Sequence, residues 1–401
     1  MLATAFAAIV ALPDHRGDGT YYAASQLLLR GEAGPRLYDD DWMRAQILAA
    51  TQGRVSDVFT PNPPTATLLA LPVAFFSPDV ARRAWAIINA IVLIGSLGLL
   101  LHERDAQPLP LHDAARNLPV GHLALALTFA FFASPVTDGF RLGQAYIILL
   151  GLYVLAWLGV KRGWSWATGL SLSLALLLKA SGAPLWLLLI ARRQWRSLGW
   201  GMLGALIIFG VTLGFIGMET WRVYMTSVLP RAAASPTIAV TAYQSLAGYS
   251  TRLFRYDATW NPSPLADWPT VATMCALLSG LTVIVLTLIL TRRAPMEIAF
   301  GVMAAASIFL VPYAEQHHYT LAVLPLWVAI GEWEHLRCVA PAAAALTRRS
   351  YAMRGAIVLI AALLIALPLP FKSPSLANGW WALFAYPRLY GGLMLWAVLL
   401  R

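Results

Sequence analysis

Three uncharged, apolar runs of the chain are plainly long enough to span a bilayer: 84–101, 270–291 and, nearly as clear, 197–218. A helix rises about 1.5 Å per residue, so roughly twenty apolar residues cross the ~30 Å hydrocarbon core of a bilayer. Shorter apolar stretches separated by polar or basic breaks continue the pattern. The hydropathy places spans near 1–13, 84–101, 119–134, 145–160, 164–178, 183–191, 198–217, 270–291, 296–312, 319–331, 354–370 and 386–400. That is an all-α, polytopic membrane protein of about twelve crossings, a single integral domain over 1–401, with both termini inside. Several spans are short, and their ends are loose by several residues.

Two places resist this reading. Residues 1–13 are apolar but short for a span, and fit a thin first helix, a span truncated by a misplaced start, or a signal peptide. Each alternative puts the next segment outside. Residues 62–77 are apolar but interrupted by Pro63, Pro64 and Pro72, and proline interrupts helices. Loop charge decides between the options. Lys161-Arg162, Arg192-Arg193 with Arg196, Arg292-Arg293, and Arg348-Arg349 with Arg354 form tight basic clusters, which mark cytoplasmic loops. Counting crossings back from Lys161, with 14–60 outside, requires an odd number between residues 60 and 102. The stretch 84–101 supplies one, so 62–77 is expected to lie against or partly in the outer leaflet.

Two long extracytoplasmic segments follow from this topology, 14–83 and 219–269. The first is the most polar part of the chain, with Asp14, Asp18, Glu32, Asp39, Asp40, Asp41 and Asp57. Helical spacing of apolar positions predicts helices near 20–29 and 40–51, amphipathic and of a length that suits a membrane surface. The second carries Trp221, Tyr224, Tyr243, Tyr249, Tyr256, Trp260 and Trp268, aromatic types that anchor a chain at headgroup depth.

Composition sharpens the class. Hydrophobic residues make up 59% of the 401 and charged residues 12%, about half the ~25% charged share of a soluble protein. Disorder and an ordinary soluble enzyme are excluded. The net charge of +10 is explained by basic residues between spans rather than by nucleic-acid binding, since no dense Lys/Arg run with interleaved aromatics occurs. Two cysteines, Cys275 and Cys338, provide neither a disulfide framework nor zinc spacing. No glycine-rich phosphate loop and no paired carboxylates at metal spacing are present, so neither a cofactor nor a metal is called for.

Polar residues beside spans point to function, because burying them in lipid is expensive. They gather on the outer side: Asp14 and Asp18, then Asp138 with Arg141 and Gln144, Lys179, and Glu315 with His317 and His318. A carboxylate just outside the first span is well placed to deprotonate a hydroxyl acceptor, although Asp18 equally suits the N-cap of the next helix. Arg141 can simply pair with Asp138. Lys179 can snorkel to the interface, the histidine pair can be interfacial, and Tyr243 and Gln244 can be packing.

Several short pieces share one order along the chain. They are Gly17-Asp18-Gly19-Thr20-Tyr21-Tyr22, Pro61-Asn62-Pro63-Pro64, Leu142-Gly143-Gln144, Leu178-Lys179, Tyr243-Gln244-Ser245-Leu246-Ala247-Gly248 and His317-His318-Tyr319-Thr320-Leu321. Together, from about Asp14 to Leu326, they resemble glycosyltransferase family 87, membrane-embedded enzymes of the GT-C fold that include polyprenyl-phosphate-mannose-dependent mannosyltransferases. The resemblance implies a GT-C-type bundle and single-sugar transfer with inversion. Asp18 matches the family's acidic residue four before a tyrosine, here Tyr22, and would be the general base. His317 or His318 matches the histidine near the donor phosphate, and Gln144 matches the family's Gly-Gln. Lys179 matches a lysine that usually precedes proline, a pattern from which Lys179-Ala180 departs. Lys179, Arg141, His317 and His318 would supply positive charge to a lipid-phosphate leaving group.

The expected partners are a polyprenyl-phosphate sugar donor, a glycolipid or glycan acceptor and the lipid bilayer, with no nucleic acid. The expected setting is the cytoplasmic (inner) membrane, with the site facing outward. Two other classes share the composition: a transporter or lipid-linked-sugar flippase, which would place ionisable residues in broken helices near mid-membrane, and a ligase that uses a lipid diphosphate and moves a whole glycan.

Overall fold

The structure, a computed structural model, describes residues 16–105, 120–339 and 345–400. The expected span 1–13, Asp14 and most of the loop 102–119 lie outside the described residues. Among the described residues the chain is helical, with no strand and one isolated bridge between Asp257 and Asn261.

Among the described residues, three helices are long and apolar enough to cross a membrane: Pro78–Asp105, Trp195–Ile216 and Pro269–Leu290. Gly379–Ala385 with Pro387–Leu399 forms a bent pair, kinked by 54°, that adds a fourth if the two act as one span. Among the described residues, several other expected spans are helices shorter than eighteen residues: Tyr146–Arg162, Ser165–Lys179, Ala183–Ala191 and Met296–Phe309. The long helices show why a bilayer is needed. Only 11% of the most apolar window of Pro269–Leu290 is buried. Leu277, Leu278 and Leu281 face outward there, as Leu206, Ile207 and Phe215 do on Trp195–Ile216. An apolar patch of that extent is not stable in water. The protein is an all-α, multi-pass membrane protein.

The described residues group into two compact units. One is drawn from Met1–Ser96 and Thr137–Ser235, the other from Leu97–Val136 and Pro236–Arg401.

The first unit is built around the helix Arg16–Leu29. Gly31, at φ +72°, ends it: the N–H of Glu32 and that of Ala33 both return to the carbonyl of Leu27, a left-handed glycine closure. The second helix, Asp40–Ala50, starts where Asp39 accepts a hydrogen bond from the Trp42 N–H at 3.1 Å. Both helices fall where the apolar spacing placed them. The first is not two-faced, however. Tyr21, Tyr22, Ala23, Ala24 and Leu27 are all buried. One side is covered by the 3₁₀ turns Pro64–Leu68 and Leu71–Val73, where Ser25 Oγ donates to the Thr67 carbonyl at 2.6 Å. Leu37, Tyr38, Met43, Ile47 and Phe59 complete the core, together with Trp221 and Tyr224. Tyr224 stacks on Tyr38 at 5.7 Å. These two aromatics of the segment 219–269 are therefore packing residues, whereas Tyr256, Trp260 and Trp268 are exposed in the manner of interfacial anchors.

Helices Ser165–Lys179 and Trp195–Ile216 cross closely in this unit. A Cβ added at Gly169 would lie 2.3 Å from the Ser197 carbonyl, and one at Gly204 would lie 2.5 Å from Ser173 Oγ. Small residues let the backbones approach where no water-driven burial term holds apolar helices together.

In the second unit, the helix Met296–Phe309 is buried continuously from Ile298 to Phe309. The 3₁₀ segment Gln316–Ala322 and the helix Pro387–Leu399 belong to the same unit. Gly392 allows close contact with two rings: a Cβ added there would lie 3.0 Å from Phe309 and 3.2 Å from Tyr319.

Candidate active site

Asp18 lies in the first turn of Arg16–Leu29, two residues past its start, so it is not the cap of that helix. Its surroundings come from four separate pieces of chain. The Gly17 N–H donates to the Leu142 carbonyl at 2.6 Å, which joins the helix start to the turn 142–144. Tyr21 Oη donates to Gln144 Oε1 at 3.0 Å. Trp85 Nε1 donates to the Gly143 carbonyl at 2.9 Å and ties in the helix Pro78–Asp105. Gly143 takes φ +62°, and a Cβ there would sit 2.5 Å from Asp18 Oδ1. The turn therefore forms a backbone wall against the carboxylate that only glycine can provide.

Asp18 lines an open pocket at this meeting point. Tyr22, Thr51, Arg54 and Arg82 supply its other polar side chains, and Val55, Ala70, Val73, Ala81 and Trp85 its apolar wall. Only 7% of Asp18 is exposed. Burial pushes its carboxyl up to about 7, against the pull of the Gly19 N–H and the positive charge of Arg82. A carboxylate held near neutral can take up a proton at physiological pH.

The other candidates of this unit sit around the same helix. Tyr22 Oη donates to the Phe76 carbonyl and accepts from Gln26 Nε2, each at 2.8 Å. Lys179 ends Ser165–Lys179, where Ala180 turns left-handed at φ +50°. Its Nζ donates to Asn62 Oδ1 at 2.8 Å and lies 5.2 Å above the ring of Tyr21 and 5.7 Å from that of Tyr146. Tyr21 thus touches both Gln144 and Lys179. Arg141 bonds Asp138 at 3.2 Å, one turn back on Ser134–Arg141.

His317 and His318 belong to the second unit. Both are buried, their ring centroids are 4.8 Å apart, and Glu315 Oε2 lies 3.8 Å from His317 Nδ1. The segment that bears them is held from several sides. Gln316 Nε2 donates to the Ser134 carbonyl, Thr320 Oγ1 to the Pro135 carbonyl, and Tyr319 Oη to the Gln244 carbonyl at 2.7 Å. Gln244 is fully buried and bonds the carbonyls of Thr241 and Ala385, which makes it a packing residue.

Sequence reasoning passed over three residues that the structure brings forward. Arg54 and Arg82 line the Asp18 pocket, and Arg388 is fully buried in the second unit. Arg388 Nη2 donates to Ser134 Oγ at 2.9 Å, and its guanidinium lies 4.2 Å over the ring of Phe371. A signal was available for Arg82. With Arg83 it forms a basic pair at the end of a span that the sequence reading places outside, where the charge rule expects few basic residues.

The sequence model of glycosyltransferase family 87 matches residues 59–312, which include Arg141, Gln144 and Lys179; Asp18 and Tyr22 precede the matched stretch, and His317 and His318 follow it. A polyprenol-phosphate-mannose-dependent alpha-(1-2)-phosphatidylinositol mannoside mannosyltransferase of Mycobacterium tuberculosis is 28% identical over 55% of this chain and 56% of its own. A polyprenol-phosphate-mannose-dependent alpha-(1-2)-phosphatidylinositol pentamannoside mannosyltransferase of the same species is 24% identical over 67% of this chain and 58% of its own. An alpha-(1->3)-arabinofuranosyltransferase of Corynebacterium glutamicum is 28% identical over 49% and 44% respectively. The chain spans about half the length of the curated relatives it matches. No solved structure matches it at a significant level. With a family match across more than half of its residues, the chain belongs to glycosyltransferase family 87.

Proposed function

We propose that the protein is an integral membrane glycosyltransferase of about twelve crossings in the cytoplasmic membrane. It takes a hexose, mannose first among the candidates, from a polyprenyl monophosphate. It passes that sugar to a hydroxyl of a glycolipid or glycan on the extracytoplasmic face, with inversion at the anomeric carbon. The observation that carries this reading is Asp18: a buried carboxylate, poised near neutral, at the wall of an open pocket.

In this reaction Asp18 accepts the proton of the acceptor hydroxyl as its oxygen attacks the anomeric carbon. The bond from that carbon to the phosphate oxygen breaks, and the electron pair leaves with the lipid phosphate. A base whose proton affinity lies near the working pH is both ionised often enough and basic enough to help. Gln144 holds the turn that backs Asp18 through Tyr21. Lys179, Arg141, His317 and His318 are the groups assigned to the phosphate, where developing negative charge gains most from fixed donors. Tyr22 lines the same pocket and is assigned to substrate binding. The mannosyl donors named for the relatives support the choice of donor class.

The test is single-sugar transfer in nanodiscs, with radiolabelled polyprenyl-phosphate-mannose and a membrane glycolipid extract, for wild type and Asp18→Asn. Transfer by wild type that is lost in the variant is the expected result. Transfer that persists unchanged in folded Asp18→Asn removes Asp18 as the base. Folded wild type that is inactive with a panel of polyprenyl-phosphate sugars removes the transferase reading in favour of transport.

A further inference from the structure

The Asp18 pocket contains a cation that the reaction above does not use. Four of its lining residues, Pro78, Ala81, Arg82 and Trp85, come from one helix at i, i+3, i+4 and i+7 spacing, and so share a face. Trp85 fixes that face. Its indole N–H is bonded to the Gly143 carbonyl, on the residue that abuts Asp18. Arg82 lies nearly one turn earlier on the same stripe and is half-buried. Its position relative to Asp18 is therefore set by a helix that is itself pinned to the turn behind the carboxylate.

The charges that face Asp18 can be taken element by element. On its own helix the pocket residue that titrates is Tyr22. The stretch after Asp40–Ala50 brings Arg54 and Asp57. Arg54 holds Asp79 through two guanidinium nitrogens, and Asp57 accepts from Thr20 Oγ1 at 3.2 Å. The 3₁₀ turns 64–73 and the turn 142–144 carry no charged side chain. The helix Pro78–Asp105 brings Asp79, Arg82 and Arg83, of which Arg83 is exposed. Arg82 is left with no hydrogen bond or ion pair to a described residue, and its charge acts on Asp18 and Asp79 through space.

We propose that Arg82 is a positioning residue for the transfer: standing off across the pocket, its guanidinium keeps the Asp18 carboxylate ionised as the acceptor enters and water leaves. This inference rests on the reading of Asp18 as the base. Filling the pocket strips water from a carboxylate that burial already pushes toward its protonated form. The same loss of water strengthens attraction to a fixed cation, because the local dielectric falls. The two effects oppose each other, so the base survives desolvation. A direct ion pair would occupy the carboxylate and block the acceptor, whereas a cation at a distance leaves it accessible. Arginine suits the role better than lysine, since it stays charged in a dry site.

The test is the pH dependence of kcat/KM for the acceptor in nanodiscs, for wild type, Arg82→Gln, Arg82→Lys and the exposed neighbour Arg83→Gln. Loss of a nearby cation moves a carboxylate by about one pH unit or more, so the acid limb of Arg82→Gln is expected about one unit higher, with about fivefold less activity at pH 7 and recovery at higher pH. Arg82→Lys keeps the wild-type limb, and Arg83→Gln changes nothing. A limb that stays in place in Arg82→Gln while Asp18→Asn is dead overturns the role of Arg82 alone. A raised KM for the lipid donor with an unmoved limb does so too, and makes Arg82 a phosphate contact. A limb displaced equally in Arg82→Lys also overturns it, and this variant keeps the test open should the glutamine variant not fold. Activity in folded Asp18→Asn overturns the base reading, and this inference with it.

Discussion

Gly143→Ala isolates the backbone wall behind Asp18 without touching a polar group. Two effects add at this position. The backbone holds φ +62°, and a non-glycine residue in that region costs about 1–2 kcal/mol. The new methyl would also lie 2.5 Å from Asp18 Oδ1, 2.6 Å from its Cβ and 2.7 Å from its Cγ, where about 3.5 Å is an ordinary contact between carbon atoms. The carboxylate or the turn must move by close to 1 Å, and overpacking of this kind adds about 1–3 kcal/mol. If the turn moves instead of Asp18, it disturbs the bonds Trp85 Nε1 to Gly143 O and Gly17 N to Leu142 O, so the base shifts either way. A displacement of about 1 Å at a reacting group lowers turnover on the order of a hundredfold. Gly163→Ala is the matched control. Gly163 has φ +72° at the end of Tyr146–Arg162, but nothing lies within 4 Å of its missing Cβ. It carries the backbone term without the clash. The assay is sugar transfer beside thermal unfolding for both variants. Both should melt earlier than wild type, and only Gly143→Ala should lose transfer. Folded Gly143→Ala with turnover within threefold of wild type, or equal losses in both variants, would refute the argument that this wall positions the base.

Two further outcomes are expected. The Asp18 carboxyl is raised to about 7 when folded and titrates near ~3.9 unfolded, so its contribution to stability is full below about pH 4 and is lost as pH rises toward 7; Asp18→Asn should therefore melt higher than wild type at pH 8, by on the order of 4 kcal/mol at most, and the difference should close by about pH 4. Arg388→Ala removes a fully buried guanidinium from Ser134 Oγ, the Leu367 carbonyl and the ring of Phe371, and should destabilise the fold by about 3 kcal/mol in thermal unfolding, with slower transfer because Ser134 also accepts from Gln316 beside the histidines.

Much of this architecture could be read along the chain. The apolar lengths of 197–218 and 270–291 anticipated the helices Trp195–Ile216 and Pro269–Leu290, and the helix expected near 40–51 is Asp40–Ala50. Span length, capping and helical spacing are set within about twenty consecutive residues, so a sequence displays them directly. The candidates Asp18 and Gln144 were legible as types at suggestive places. Their partnership was not, since it runs through Tyr21 across more than a hundred residues.

The packing rests on such distant contacts. The helix Arg16–Leu29 reads as a surface element because its polar residues are visible in the sequence, whereas the 3₁₀ turns and aromatics that cover it come from residues 64–73 and 221–224. Lys179 finds Asn62 across 117 positions. Arg82 reads as a topology signal until Trp85 anchors its helix against Gly143. The pocket around Asp18 exists only where four remote pieces of chain meet, and its low dielectric, which raises the carboxyl toward neutral, is a property of that meeting rather than of any one piece.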